Sequence, residues 1–278
     1  MTPTAELVAA WVAIFAYAVS SVAFTIGVIF GKRRAETVAV GLALIGVVAH
    51  IAAVGLRWVR IGHGPYLGFY EVSSLLALMA VAGFLAVVAR YRDLRVAGVA
   101  VMPVSFLVMG ASLLVSKDAM AVEGSLASFW LAIHVAFANL AFGAYAVSFA
   151  LAVAYLMKHG KPQRRWQALL DRFPEPDVLD ALTYRFVGAG FVFQTVMIVS
   201  GSIWANEAWG RYWGWDPVET WSLIAWAIYA IYLHLTLTLG WRGKRAAWVA
   251  VLALPVSLFS LLGVPIVYHS IHGAYLAR

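Results

Sequence analysis

The chain of 278 residues contains no cysteine. Disulfides, thiolate metal sites and redox chemistry by its own thiols are thereby excluded, and any sulfur it acts on must belong to another molecule. Charge is scarce as well: 12% of the residues are Asp, Glu, Lys or Arg against 63% hydrophobic, with a mean hydropathy of +0.86. Soluble domains carry about 25% charged residues, so this composition requires a polytopic membrane protein. Internal repeats, low-complexity tracts and long linkers are missing too, which predicts one integral membrane domain over residues 1–278. No basic n-region precedes the first apolar run and no small-residue cleavage site follows it, so that run is expected to be a retained helix.

Present instead are apolar runs at about 5–30, 36–57, 69–89, 96–116, 128–157, 184–203, 218–240 and 246–268, each able to cross a hydrocarbon core of ~30 Å. The expected fold is all-α, a polytopic membrane helical bundle of about eight transmembrane helices. The net charge of +7 is distributed as topology. Lys32-Arg33-Arg34, Arg90/Arg92/Arg95, Lys158 to Arg172 and Arg242/Lys244/Arg245 fall in alternate short loops, whereas the opposite loops hold only Arg57, Arg60, Lys117, Arg211 and Arg278. The positive-inside rule makes the first set cytoplasmic and puts both termini on the extracytoplasmic side. Nucleic acid is therefore not an expected partner. In the cytoplasmic basic loop, about 158–183, the stretch from Lys158 to Leu170 is expected to form an amphipathic helix on inner-leaflet lipid.

The densest signal is the extracytoplasmic loop at about 203–221, W-A-N-E-A-W-G-R-Y-W-G-W-D-P-V-E-T-W from Trp204 to Trp221. Trp204, Trp209, Trp213, Trp215 and Trp221, with Trp226 just beyond, surround an Asp-Pro-x-Glu turn. One or two tryptophans at this depth would be an interfacial belt. This density offers a flat aromatic platform for a large planar ligand, of which haem is the obvious example. Asp216 can cap the next helix, Pro217 suits its first position and Glu219 completes a capping box.

Histidines inside a membrane must be paired or functional. His134 lies near the outer end of the fifth run, and His269 and His272 lie just past the outer end of the eighth, level with the tryptophan loop. Two imidazoles flanking the platform could be the axial ligands of a haem iron. His234 lies roughly 20 Å down the seventh run, counted at ~1.5 Å per residue from Glu219, where it could ligate a second haem or mark its route. His50 is equally readable as a packing histidine, His63 has no assigned role, and His159 reads as solvated.

Beyond these properties, W-G-R-Y-W-G-W-D-P-V-E-T-W, continuing to Y-L-H at His234, resembles the tryptophan-rich WWD signature of haem-handling proteins, and within them the CcsA (ResC) family of cytochrome c biogenesis. R-W-V-R-I-G-H-G-P-Y-L-G-F-Y-E-V-S-S-L at 57–75, W-L-A-I-H-V at 130–135 and the terminal S-I-H-G-A-Y are similar to further family segments, in family order. The resemblance implies a system II cytochrome c synthase subunit of the bacterial cytoplasmic membrane or a thylakoid-type membrane. Such a subunit works with a CcsB (ResB) partner to deliver haem b and attach it covalently to the C-x-x-C-H cysteines of apocytochrome c. It also implies His134 and His272 as external iron ligands, with His269 the alternative to His272, and His234 as the second or transit site. Trp204, Trp209, Trp213, Trp215, Asp216, Trp221 and Arg211 would hold the macrocycle; no catalytic acid is assigned.

Val218 stands where the family usually has lysine, and Gly68-Phe69 where Asn-Leu is common. Rival readings are a haem transporter or chaperone akin to CcmC, a non-catalytic regulator of the HemX type, and a membrane b-type cytochrome. The last needs paired histidines at matched depth, which His50 and His234 do not provide.

Overall fold

The computed structural model describes residues 3–64, 66–67, 69–112, 124–160, 167 and 170–268. Every regular element among them is helical: α1 (Pro3–Ile29), α2 (Arg33–Ile61), α3 (Phe69–Arg90), a 3-10 turn (Arg92–Ala97) leading into α4 (Gly98–Ser112), a second 3-10 turn (Gly124–Ala127), α5 (Phe129–His159), α6 (Pro176–Trp209), α7 (Pro217–Thr238) and α8 (Lys244–Leu258). A π-helical turn, Phe259–Gly263, and a last turn, Val264–Val267, prolong α8. Seven segments among the described residues, every helix but α8, are long and apolar enough to cross a membrane. The chain is an integral membrane protein with the helical architecture its composition requires.

The eight helices stand where the apolar runs predict them, with differences at the ends. Helix α6 begins eight residues earlier than expected and ends six later: Pro176 occupies its first turn, and it stops only at Gly210, whose φ of 70° is left-handed. The tryptophan loop is correspondingly short. Trp204 and Trp209 belong to α6 and Trp221 to α7, so the non-helical link is residues 210–216. Helix α5 likewise runs on to His159, and most of the amphipathic helix expected after it lies outside the described residues.

Two compact units emerge, residues 1–121 with 171–173, and residues 122–170 with 174–278. In the first, α1 to α4 pack around Tyr17, Phe24, Phe84 and Met102, all nearly inaccessible. Close approach depends on small residues: a Cβ on Gly46 would lie 2.5 Å from the Tyr17 ring, and one on Gly98 2.7 Å from Phe24. His50 is fully buried between Tyr17 Oη, 3.3 Å from Nδ1, and Ser74 Oγ, 2.8 Å from Nε2. Both ring nitrogens are occupied, which makes it a packing residue. His63 is buried too; its Nδ1 lies 2.8 Å from Gly64 O, while Nε2 has no partner among the described residues.

One end of this unit is closed by buried charge. Arg57 donates from Nε to Glu71 at 2.9 Å and from Nη1 to Glu6 at 3.2 Å, and Arg60 reaches the second oxygen of Glu6 at 2.7 Å. Glu71 also accepts from Leu67 N, and the Arg57 guanidinium lies 4.7 Å from the Tyr70 ring centroid. The R-W-V-R and Y-E elements of the 57–75 segment thus meet as one ion cluster. Arg172 joins the unit elsewhere, donating to the Gly27 and Val28 carbonyls and to Glu36.

Removing one partner of such a cluster leaves charge buried and uncompensated, at a cost of about 3–5 kcal/mol. Arg57→Leu is therefore expected to lower the thermal unfolding midpoint in detergent markedly, and Glu6→Gln/Arg57→Leu/Glu71→Gln together should recover most of the loss. Unfolding of Arg57→Leu at the wild-type temperature would show the cluster to be inert.

Candidate functional site

In the second unit, Ser128 caps α5 by accepting from Trp130 N at 3.1 Å, and its hydroxyl donates to Glu207 near the end of α6. This pairing sets α5 and α6 antiparallel and brings the second turn of α5 beside the last turns of α6. There the ring of His134 lies with Nδ1 2.8 Å from Met197 O. A carbonyl only accepts, so Nδ1 carries the proton, and in the neutral ring Nε2 would be the nitrogen that a metal takes. Gly201 makes the placement possible: a Cβ there would collide with Nδ1.

The link after α6 is held from the start of α7. Glu219 Oε2 accepts from Gly214 N at 2.9 Å and from Asp216 N at 3.1 Å, while Asp216 accepts from Val218 N at 3.2 Å. The capping box expected from the sequence is formed. Between these anchors Trp215 sits at φ 57°, a left-handed conformation that costs a non-glycine residue about 1–2 kcal/mol. The carboxylate of Glu219 holds the chain in it.

A partly open cleft with an enclosed volume of about 110 Å³ lies within this unit. Its upper wall is Trp204, Tyr212 and Trp213; His134, Met197 and Gly201 stand at one side and Val218 and Glu219 at another. Its floor is polar but uncharged. Tyr145 Oη donates to Gln194 at 2.7 Å, Gln194 donates to Ser222 O at 3.1 Å, and Ser222 and Ser260 share a hydroxyl contact of 3.0 Å. An apolar, aromatic cleft with one imidazole and few polar groups has the chemical character of a site for an organic ligand.

The remaining predicted residues divide. Trp209 packs edge-on against buried Trp204, ring centroids 4.9 Å apart, and Trp215, 69% exposed, stands edge-on to Trp213 at 5.9 Å. Trp221 meets Phe259 of the π-helical turn at 4.7 Å. Trp226 belongs to helix packing, donating to Thr195 at 2.9 Å and stacking on Phe191. Arg211 is exposed at the start of the link, over Gly214. His234 is exposed on α7, its Nδ1 3.3 Å from Thr238 Oγ1, and His159 is exposed at the end of α5 beside Tyr155. His269 and His272 lie outside the described residues. Gly201 and the Tyr145–Gln194 pair escaped sequence reasoning, and Val218, conspicuous in the sequence only as a departure from the family's lysine, proves to line the cleft wall.

The description of the model that matches residues 66–272 is "Cytochrome C assembly protein". The chain belongs to that family. Among its relatives, the cytochrome c biogenesis protein CcsA of Guillardia theta is 33% identical, with 91% of each chain covered. The CcsA protein of Gloeobacter violaceus is 31% identical over 85% of each, and that of Chlamydomonas reinhardtii 35% identical over 78% of this chain and 62% of its own. Among solved structures, the cytochrome c heme lyase CcmF is similar in fold, with a TM-score of 0.68 and 20% identity; this chain is covered in full and spans about half, 49%, of that one.

Three substitutions probe the geometry. Gly201→Ala should force the His134 ring aside and cost about 1–3 kcal/mol of stability in detergent, read as a lower unfolding midpoint. Gly188→Ala, where a Cβ meets nothing within 4 Å, should be neutral. Glu219→Ala frees the link and is expected to cost about 1–2 kcal/mol of local stability, read as a red shift of tryptophan emission. Wild-type emission from Glu219→Ala would show that the link holds its shape without the carboxylate.

Proposed function

We propose that this cleft binds haem and that the protein presents it on the extracytoplasmic side for covalent attachment to apocytochrome c, as the CcsA subunit of a system II synthase. Family membership supports a role in cytochrome c maturation. The observation that carries the haem reading is His134, its tautomer set by Met197 O, in the wall of a cleft topped by Trp204, Tyr212 and Trp213. In this reading His134 is one axial ligand, His272 the other with His269 as its alternative, and His234 belongs to a second or transit site. The ligand is haem b, the partners are a CcsB (ResB) subunit and apocytochrome c, and the two units work as one integral membrane domain with both termini extracytoplasmic. The membrane is the bacterial cytoplasmic membrane or a thylakoid-type one.

The chemistry makes modest demands on the chain. In thioether formation the S–H bond of a substrate cysteine adds across a haem vinyl group: sulfur bonds to one vinyl carbon and the proton ends on the other, with no net change in oxidation state. Both sulfurs belong to the apocytochrome, consistent with a chain that has none in cysteine. The task left to this protein is to bind the macrocycle and hold its vinyl groups where the thiols can reach them.

The test is the reduced-minus-oxidised spectrum of the protein purified in detergent with its CcsB partner, for wild type and for His134→Ala, His234→Ala and His272→Ala. A bis-histidine spectrum that fades in the His134 and His272 variants is expected, with thioether formation when a C-x-x-C-H apocytochrome is supplied. Bound haem without attachment would favour a transporter, and haem-free wild type under ample haem supply would sink the reading.

A further inference from the structure

We propose that the first unit holds the phosphate headgroup of an anionic lipid at the end where α2 begins and the 3-10 turn leads into α4, with Arg95 as its principal donor. The site lies in the unit that does not contain the cleft, and it stands independently of the haem reading.

Arg95 is a cation that the protein leaves largely unengaged. It sits on the turn Arg92–Ala97, which the buried side chains of Leu94 and Val96 pin in place. From there Nη1 donates to Thr37 Oγ1 near the start of α2 at 3.4 Å, a long contact. Nε is buried without a partner, and Arg95 makes no other hydrogen bond among the described residues. A guanidinium is always charged and carries five donors, so one loose contact leaves most of the group unsatisfied. The acids nearby do not serve it. Glu36 is buried against Arg172, and Asp93, exposed on the same turn, forms no ion pair among the described residues.

Further cations gather at the same end. Thr37 donates in turn to Arg33 O at 3.1 Å, which places the first turn of α2 beside the guanidinium. Lys32, Arg33, Arg34, Arg90 and Arg92 are all exposed. Such a cluster repels itself and attracts an anion. Its depth selects the source of that anion. Helix α1 ends at Ile29 and α3 at Arg90, so the cluster stands where apolar helices leave the hydrocarbon. Ile29 and Phe30 are exposed at this end, 67% and 68%, and present apolar surface to acyl chains. A phosphate carried on apolar tails meets both surfaces, whereas a free phosphate meets only the charges. The positive-inside rule assigns this end to the cytoplasmic leaflet, which is anionic. The weak hold of Thr37 lets the guanidinium turn Nε and Nη2 together toward one phosphate, the forked geometry arginine favours.

The experiment titrates short-chain phosphatidylglycerol or phosphatidylcholine into full-length protein in neutral detergent and reads bound lipid by native mass spectrometry. Wild type should bind phosphatidylglycerol about tenfold more tightly than phosphatidylcholine, the size expected for one charge-assisted contact. Arg95→Gln should abolish the preference. Arg33→Gln/Arg34→Gln, which changes two exposed positions only, should reduce it, and Lys244→Gln, an exposed cation of the other unit, should leave it intact. Inorganic phosphate should not displace the lipid. Equal wild-type affinity for the two lipids would overturn the proposal, as would a preference that survives in both arginine variants. Loss in Lys244→Gln as large as in Arg95→Gln would reduce the effect to net charge, and displacement by inorganic phosphate would make the ligand a free anion; either result also overturns it.

Discussion

The second unit depends on what Tyr145 does between three helices. Its ring stacks on Tyr229 of α7 with centroids 3.6 Å apart and planes 4° from parallel, and it occupies the space beside Gly190 of α6 that any side chain there would fill. Its hydroxyl donates to Gln194, which passes the bond to the Ser222 carbonyl. In a bilayer a buried amide or hydroxyl has no water to fall back on, so each must find a partner within the protein. Satisfying Gln194 therefore ties α5, α6 and α7 together at one depth. Tyr145 and Gln194 also line the cleft, so the same tie forms its floor.

Above that floor the site divides its tasks between rigid and strained parts. His134 is carried on a helix and aimed by a backbone carbonyl, an arrangement with little freedom. The link that tops the cleft is short, contains a tryptophan in a left-handed conformation and keeps its shape through one carboxylate. A long flexible loop could not present Trp213 and Tyr212 as fixed walls. A seven-residue link between two rigid helices can, provided that Glu219 absorbs the strain.

Not every aromatic of the segment works on the cleft. Trp226 fastens α6 to α7, and Trp221 fastens α7 to the π-helical turn at Phe259. A π-helical turn inserts an extra residue and rotates the helix beyond it, which is one reason such turns recur at functional sites. Here it precedes the segment that bears His269 and His272. The same residue type thus serves as wall, fastener and exposed rim within one short stretch of chain, and composition does not distinguish these uses.

Much of this molecule was legible before folding. Apolar run lengths located eight helices because a bilayer dictates helix length, and Asp216, Pro217 and Glu219 announced the start of α7 because capping is a local interaction. His134 and the tryptophan cluster stood out because imidazole and indole are conspicuous in an apolar chain. Other features are pairings across long stretches of sequence, for which no local pattern exists. Arg57 looked like a scattered surface charge until Glu6 and Glu71 met it; Trp226 looked like part of the platform until Thr195 met it; and Gly201 had no meaning until His134, far earlier in the chain, came to rest on it. The sequence alone determined the helices, their caps and the kinds of side chain available, since these follow from local polarity and hydrogen bonding. Only the tertiary structure decided which of those side chains share a cleft, because that depends on helix packing at distances set by single glycines.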